Sequence, residues 1–388
     1  MQKTLKLFFI FLCFTSYAQD IILSEQAKIS VLTIAPGTSL NDAFGHNAFR
    51  IQDPSINLDK TYDYGRFDFE APNFYLNFAK GKLNYALGQS NFYDFLRFYI
   101  YQNRTVEEQV LNLSQSEKQQ LYDFLINNYK PENRNYLYDF FFDNCATKIK
   151  DVVNHTLNNQ IHFETPDTFE NASFRALIQN NLNRNSWGSL GIDIALGSVI
   201  DKTAPAEDHM FLPKNIYSFF NKATLKTTNQ ALVKQSSVLY KQKDTTKSSA
   251  FFTSPLFILG IVSLLIIFVT YKDYRNQSQS KWLDIALFAI TGIIGVLLLL
   301  LWFATNHTGT HQNYNLLWAF ALNLVVIGQL YKTKVSAWFI RYIKLLVILL
   351  CLLTLHWIIG VQVFAIGLIP LMMALFIRYI YLVYHYTH

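Results

Sequence analysis

The last third of the chain places the tightest constraint on its fold. Apolar runs lie near 251–271, 282–303, 315–331, 337–359 and 361–381. Each is close to the roughly 20 residues that cross a hydrocarbon core, the third being short. In lipid a backbone must satisfy its own N–H and C=O groups, so such runs predict an all-α membrane domain of five transmembrane helices. The connecting loops set its direction. Lys272 to Lys281 and the Lys332-Thr333-Lys334 turn are basic, whereas residues 304–314 and 360–362 carry no Lys or Arg. The bias of Lys and Arg toward the cytoplasm puts the first two loops inside and the other two outside, with the C-terminus cytoplasmic.

The charge balance agrees with this topology. Eight of the 33 basic and two of the 27 acidic residues lie beyond residue 250, so the 25 of each that remain upstream cancel and the net +6 belongs to the apolar part. Positive charge confined to helix ends orients a protein in a bilayer and argues against a nucleic-acid partner. With 51% hydrophobic and 15% charged residues, a disordered chain is excluded.

Residues 1–18 combine a basic start (Lys3, Lys6), the run Leu7 to Leu12 and small residues before Gln19, the pattern of a secretory signal peptide cleaved after Ala18. The alternative is an uncleaved anchor, for which the apolar run is short. Cys13 lacks the small residues of a lipobox before it. The predicted order is therefore a signal peptide (1–18), an exported domain (19–220), a polar linker rich in Lys, Thr, Gln and Ser (221–250) and the membrane domain (251–388). Together these place the protein in the inner membrane as a multi-pass protein with its N-terminal domain in the periplasm.

Cysteine usage narrows the chemistry. Cys13 leaves with the signal peptide and Cys351 falls within a span, so Cys145 stands without an intrachain partner in an oxidising compartment. Asp143 or Asn144 is a natural N-cap for the helical pattern that follows, which puts Cys145 in a first helical turn. There the unpaired N–H groups and the dipole favour a thiolate and offer donors to an oxyanion. Two readings stay open at this point: a nucleophile, or a small buried hydrophobe. A nucleophile needs a base, and His46, at the start of the strand-like stretch His46 to Ile51, is the candidate; His155, ten residues along the helix from Cys145, points elsewhere. No HExxH, CxxC or GxSxG pattern occurs, so neither a metal nor an organic cofactor is implied.

Two stretches, Phe44-Gly45-His46-Asn47-Ala48-Phe49-Arg50 and Asp143-Asn144-Cys145-Ala146-Thr147, resemble the His-then-Cys order of the permuted papain-like (NlpC/P60-type) superfamily, which includes the lecithin:retinol acyltransferase group. More closely, the chain resembles the Lnb-type lipoprotein N-acyltransferase family of Bacteroidota, whose exported part is an Lnb N-terminal periplasmic domain. The likeness extends through Tyr62 to Phe69, Asn103-Arg104, Ser186-Trp187-Gly188, Leu196-Gly197 with Asp201, Met210 to Pro213, and His307 with Asn313 to Leu317. It implies an α+β papain-like thiol domain, with its sheet near 30–100, ahead of the five spans. Cys145 is then the nucleophile and His46 the general base, with Asp63 as the orienting residue and Tyr62, Tyr64 and Asn144 as alternatives. Asn144 and Ala146 would position the thiol or hold an oxyanion. Arg50, Tyr64, Arg66, His307, Asn313 and Asn315 are candidates for substrate contact, the arginines equally as ion-pair partners and the membrane residues equally as a dock for the thiol domain.

The implied reaction takes a fatty acyl chain from a membrane phospholipid, the acyl donor, through a Cys145 thioester to the α-amine of a diacylated lipoprotein, the acceptor, at the lipid bilayer. The rival expectations are a membrane-tethered peptidoglycan amidase or peptidase and a non-catalytic receptor or scaffold.

Overall fold

The computed structural model describes residues 21–68, 70–244 and 251–388; the predicted signal peptide lies outside them. The N-terminal domain is built on strands β1 (Lys28–Ile34), β2 (His46–Asp53), β3 (Leu58–Arg66), β4 (Asn84–Asn91), β5 (Val106–Leu111) and β6 (Asn135–Leu137). Helices α1 (Phe74–Ala79), α2 (Phe92–Tyr101), α3 (Gln115–Tyr129) and α4 (Cys145–Thr156) are interleaved with them. A two-stranded pair, β7 (Ile161–His162) with β8 (Thr224–Leu225), helices α5 (Phe174–Gln179), α6 (Trp187–Ala195) and α7 (Pro213–Lys222), and strand β9 (Val233–Tyr240) complete it. The large sheet has seven antiparallel strands in the order β6-β4-β3-β2-β1-β5-β9.

Period-two patterning separates two cores across this sheet. Ile29, Val31, Phe49, Ile51, Tyr62 and Tyr64 face one side and pack with residues of α3, α4 and α7. Leu32, Ile34, Ala48 and Val106 face the other and pack with Phe95 and Tyr99 of α2. At about 1.5–3 kcal/mol for each large side chain fully buried, these layers fix the sheet's position against α4. A helical N-terminus and a strand end are thereby brought together.

The polar linker expected over 221–250 is corrected in its middle. Val233–Tyr240 pairs with β5 as an edge strand, from Val106 opposite Tyr240 to Leu111 opposite Val233. Its sequence, Val-Lys-Gln-Ser-Ser-Val-Leu-Tyr, carries four polar residues in a row because none of the strand is buried and half of it is exposed, and an edge needs no apolar face to pair.

Four helices of the C-terminal part are long and apolar enough to cross a membrane: α8 (Pro255–Asn276), α9 (Lys281–Phe303), then α11 (Ala337–Ile358) and the segment Ile366–Thr387, most of which is α12 (Ile369–Thr387). The expected continuous helix over 315–331 is not there. In its place run a 3-10 turn (Tyr314–Leu317), the short helix α10 (Asn323–Val326) and a second 3-10 turn (Ile327–Gln329). The physical reason is length and polarity. Those 17 residues as a regular α-helix would rise about 25 Å, short of a ~30 Å hydrocarbon core, and the more tightly wound 3-10 turns rise further per residue. The irregular backbone packs on one side against α9, where Leu324 meets Gly292 and Ala319 meets Gly295. Asn323 donates to Thr291 Oγ1 at 2.8 Å and accepts from the Tyr342 hydroxyl at 2.6 Å. At the end of α9 marked by its basic loop, Lys281 Nζ donates to the carbonyls of Tyr331 and Lys332 at 3.3 and 3.4 Å. There too Arg378 of α12 joins Asp284 of α9 at 2.6 Å and Asp273 of α8 at 2.7 Å.

At the opposite end, the loop 304–313 binds the N-terminal domain. Asn306 N–H donates to Lys80 O at 2.9 Å, His307 Nε2 donates to Phe78 O at 3.0 Å, and the Thr308 hydroxyl donates to Asp139 at 2.7 Å. Gly197 N–H donates to Gly309 O at 2.9 Å. Asn313 and Asn315, both buried, donate to the carbonyls of Ile194 at 2.7 Å and Asp193 at 3.0 Å, closing the otherwise open C-terminus of α6. Arg175, 1% exposed, holds that end from the other side through Asp193 and Asp201 at 2.9 and 2.8 Å and the carbonyls of Leu196 and Gly197.

Candidate active site

The turn Leu40 to Gly45 delivers β2. Gly45 has φ +84°, and a Cβ there would strike the Ile34 carbonyl, so glycine lets the chain double back into His46. His46 then stands at the first position of β2, opposite Ile34 of β1. Across from it, Asn144 caps α4: its Oδ1 accepts from the N–H groups of Ala146 at 2.8 Å and Thr147 at 3.0 Å, while its own N–H donates to Thr147 Oγ1. Its amide also donates to the carbonyls of Phe140 and Phe211 at 2.7 and 2.8 Å, which anchors the cap to two loops. Cys145 is thus the first residue of a helix whose start is over-determined.

Ala146 does not fill the positioning role expected of it, because its N–H is taken by the cap. The Cys145 N–H, at the first helical position, has no acceptor within the helix and is the donor left at the thiol.

Three side chains converge. His46 and the Asn47 backbone N–H both lie at the Cys145 thiol and favour its ionised form. The other side of the imidazole meets Asp63, with Nε2 3.3 Å from Oδ2. Asp63 Oδ1 is held by Arg66 through Nη2 at 2.5 Å and Nε at 3.0 Å. Burial pushes the thiol pKa up, yet the adjacent His46 more than reverses this, and Cys145 titrates below its ordinary value. Burial likewise pulls His46 down, but Tyr99, Cys145 and Asp63 together raise it well above its ordinary value. Burial raises Asp63, and the hydrogen bonds from His46 and Arg66 bring it below the usual carboxylate range. The arrangement favours a thiolate–imidazolium pair backed by an ionised carboxylate, the electronic state of an activated nucleophile.

Gly65 lies between Asp63 and Arg66, where β3 slips register against β4. Its φ of +97° suits glycine, and a Cβ there would lie 3.7 Å from Cys145 Cβ and 4.0 Å from His46 Cε1. Its bare α-carbon keeps the approach to sulfur open.

The remaining expected contacts divide clearly. Arg50 is committed to Asp59 and Glu108 and stacks on Phe92, so it braces the sheet and has no face left for a phosphate. Tyr64 is buried in the core with its hydroxyl bonded to Asn128, so it is no substrate contact. His307, Asn313 and Asn315 dock the two domains. Arg66 lines an open cleft while bracing Asp63. Sequence reasoning missed Tyr99 of α2, whose ring centroid lies 6.3 Å from that of His46; Arg104, named in the family likeness, is over the Tyr99 ring at 5.0 Å. Nothing local marks Tyr99, since only the fold of α2 over β2 brings it to the imidazole.

Residues 14–180 match the family described as the Lnb N-terminal periplasmic domain, and residues 246–388 match the Lnb transmembrane domain. The chain belongs to the Lnb family. It is a multi-pass membrane protein whose N-terminal α/β domain is periplasmic, as the family descriptions and the four long apolar helices together require. No curated protein and no solved structure matches it.

Proposed function

We propose that this Lnb-family protein is a thiol-dependent lipoprotein N-acyltransferase of the inner membrane. The observation that carries the reading is the position of the thiol: the Cys145–His46–Asp63 group is fastened to the loop 304–313, beside the outward end of α9. Asp139, six residues before Cys145, binds Thr308, and Phe141 packs against Gly309. A nucleophile held over a bilayer surface suits substrates that cannot leave it.

In this reading the Cys145 thiolate attacks an ester carbonyl of a phospholipid. The Cys145 N–H stabilises the oxyanion, and His46 protonates the departing lysophospholipid oxygen. The C–O bond breaks and a thioester remains. The free α-amine of a diacylglyceryl-cysteine lipoprotein then attacks that thioester, His46 takes the amine proton, and an amide replaces the thioester. Asp63 keeps the imidazole oriented and stabilises its charged form through both steps. The domain is a permuted papain-like fold in this reading. The segment 314–331 is the fifth crossing, running from the docking loop to Lys281, so that the C-terminus lies in the cytoplasm.

The test gives the full chain, in liposomes, a phospholipid with one isotope-labelled acyl chain and a diacylated lipopeptide with a free N-terminus. The expected product is a triacylated lipopeptide carrying the label, abolished by Cys145→Ala. Intact mass of wild-type protein without acceptor is expected to show one fatty acyl adduct on Cys145. An unlabelled lipopeptide, or a peptide fragment on Cys145 after exposure to cell-wall peptides, overturns the reading in favour of an amidase.

A further inference from the structure

The reaction as written does not use the cleft on the α1 side of the site. It encloses about 610 Å³ between α1 and the edge of β4. Phe67, Phe74, Leu83 and Leu87 give it apolar walls, and Arg66 and Arg134 are among the residues that line it. Arg66 is engaged by Asp63 and Ser90. Arg134 is different: it is exposed and has no carboxylate within ion-pair distance among the described residues. Its backbone is nevertheless fixed, the N–H donating to Lys130 O at 3.0 Å and the carbonyl accepting from Leu87 N–H at 2.9 Å. Asp68, the carboxylate on the lining, accepts from the Glu70 N–H. With Arg66 already neutralised, Arg134 is the cation the cleft offers to a ligand.

Both ends of the cleft are informative. Its outer wall is α1, which contributes Phe74 and Asn77 inward and leaves Tyr75, Leu76 and Phe78 outward at 75%, 51% and 56% exposed. The bonds from Asn306 and His307 to Lys80 and Phe78 hold α1 within a few residues of Phe303, the end of α9. Exposed aromatic and aliphatic side chains at that level match the interfacial belt of a membrane, continuous with the lipid-facing ends of the spans. The inner end is Arg66, whose guanidinium holds Asp63 of the Cys145–His46–Asp63 group. An apolar trough that begins beside the membrane-domain loop, carries an arginine on a fixed backbone and ends at the arginine that braces Asp63 suits an amphiphile with one anionic group.

We propose that this cleft binds the acyl-donor phospholipid, with Arg134 holding its phosphodiester and the apolar walls receiving chain and glycerol. The inference rests on the acyl-transfer reading for the identity of the lipid as donor. Arg134 is a binding residue and takes no part in bond making.

Binding is measured calorimetrically on the full chain in maltoside micelles, in a Cys145→Ala background so that nothing turns over. The probes are dihexanoylphosphatidylglycerol, dihexanoylglycerol and inorganic phosphate. Arg134→Ala is expected to weaken the phospholipid about tenfold or more, with Arg134→Lys recovering part of the loss, as for a charge-assisted hydrogen bond. Dihexanoylglycerol should bind more weakly and be indifferent to Arg134→Ala. Phospholipid affinity unchanged by Arg134→Ala overturns the proposal. So does inorganic phosphate binding as tightly as the lipid, which would mark a free-anion site. Arg134-dependent lipid binding in a protein that fails to acylate lipopeptide would remove the transfer reading and leave the cleft standing.

Discussion

At the scale of single residues, the thiol and the imidazole were readable because each carries a local signature: a cap before Cys145 and a glycine turn before His46. Asp63 has none, and only the pairing of β2 with β3 brings it to the ring. Its contribution is visible in pH dependence. The reactive pair exists above the lowered Cys145 pKa and below the raised His46 pKa, so kcat/KM should be bell-shaped, while alkylation of Cys145 by iodoacetamide, which needs only the thiolate, should already be fast below the ordinary thiol range. Asp63→Asn removes a negative neighbour that raises His46, so the alkaline limb is expected to move to lower pH; a limb that stays in place would show that Asp63 does not act on the imidazole. Asn144→Ala tests the cap: it frees two helix N–H groups and strips donors from two loop carbonyls. A loss of about 1–3 kcal/mol in thermal or denaturant unfolding is expected.

Elements were legible where packing calls for apolar side chains and obscure where it does not. β2 reads as a strand because its two faces are covered by different cores, and the four long spans announce themselves by apolar length. Strand β9 read as a linker since an exposed edge strand pairs through its backbone and its side chains carry no pattern. The segment 315–331 read as a helix since hydropathy reports what a stretch is made of and is silent about its winding. Among the helices, Arg378 joins three elements through two aspartates at the end of the bundle marked by basic loops. Arg378→Ala leaves both carboxylates buried without a cation, and a loss of about 3–5 kcal/mol is expected, read as a lower unfolding temperature in detergent. Arg378→Ala with Asp273→Asn and Asp284→Asn should recover most of it.

For the whole molecule, the division into an exported domain and a membrane domain followed from charge and apolar length, whereas their docking did not, because it depends on amides meeting carbonyls more than a hundred residues away. Asn313 and Asn315 bind the end of α6 in this way. Replacing both by Ala is expected to leave Cys145 alkylation near the wild-type rate while loosening the domain from the membrane. Water should then gain on the amine: the ratio of fatty acid released to lipopeptide acylated should rise several-fold, and a constant ratio would show that docking does not protect the thioester. The broken segment beside α9 carries a different lesson. Long helices number four, an even count that would return the chain to the side on which it entered. If the segment 314–331 crosses as we propose, it restores odd parity without adding a long helix, and the two ends of the membrane domain would face opposite compartments although its four long helices alone would put them in the same one.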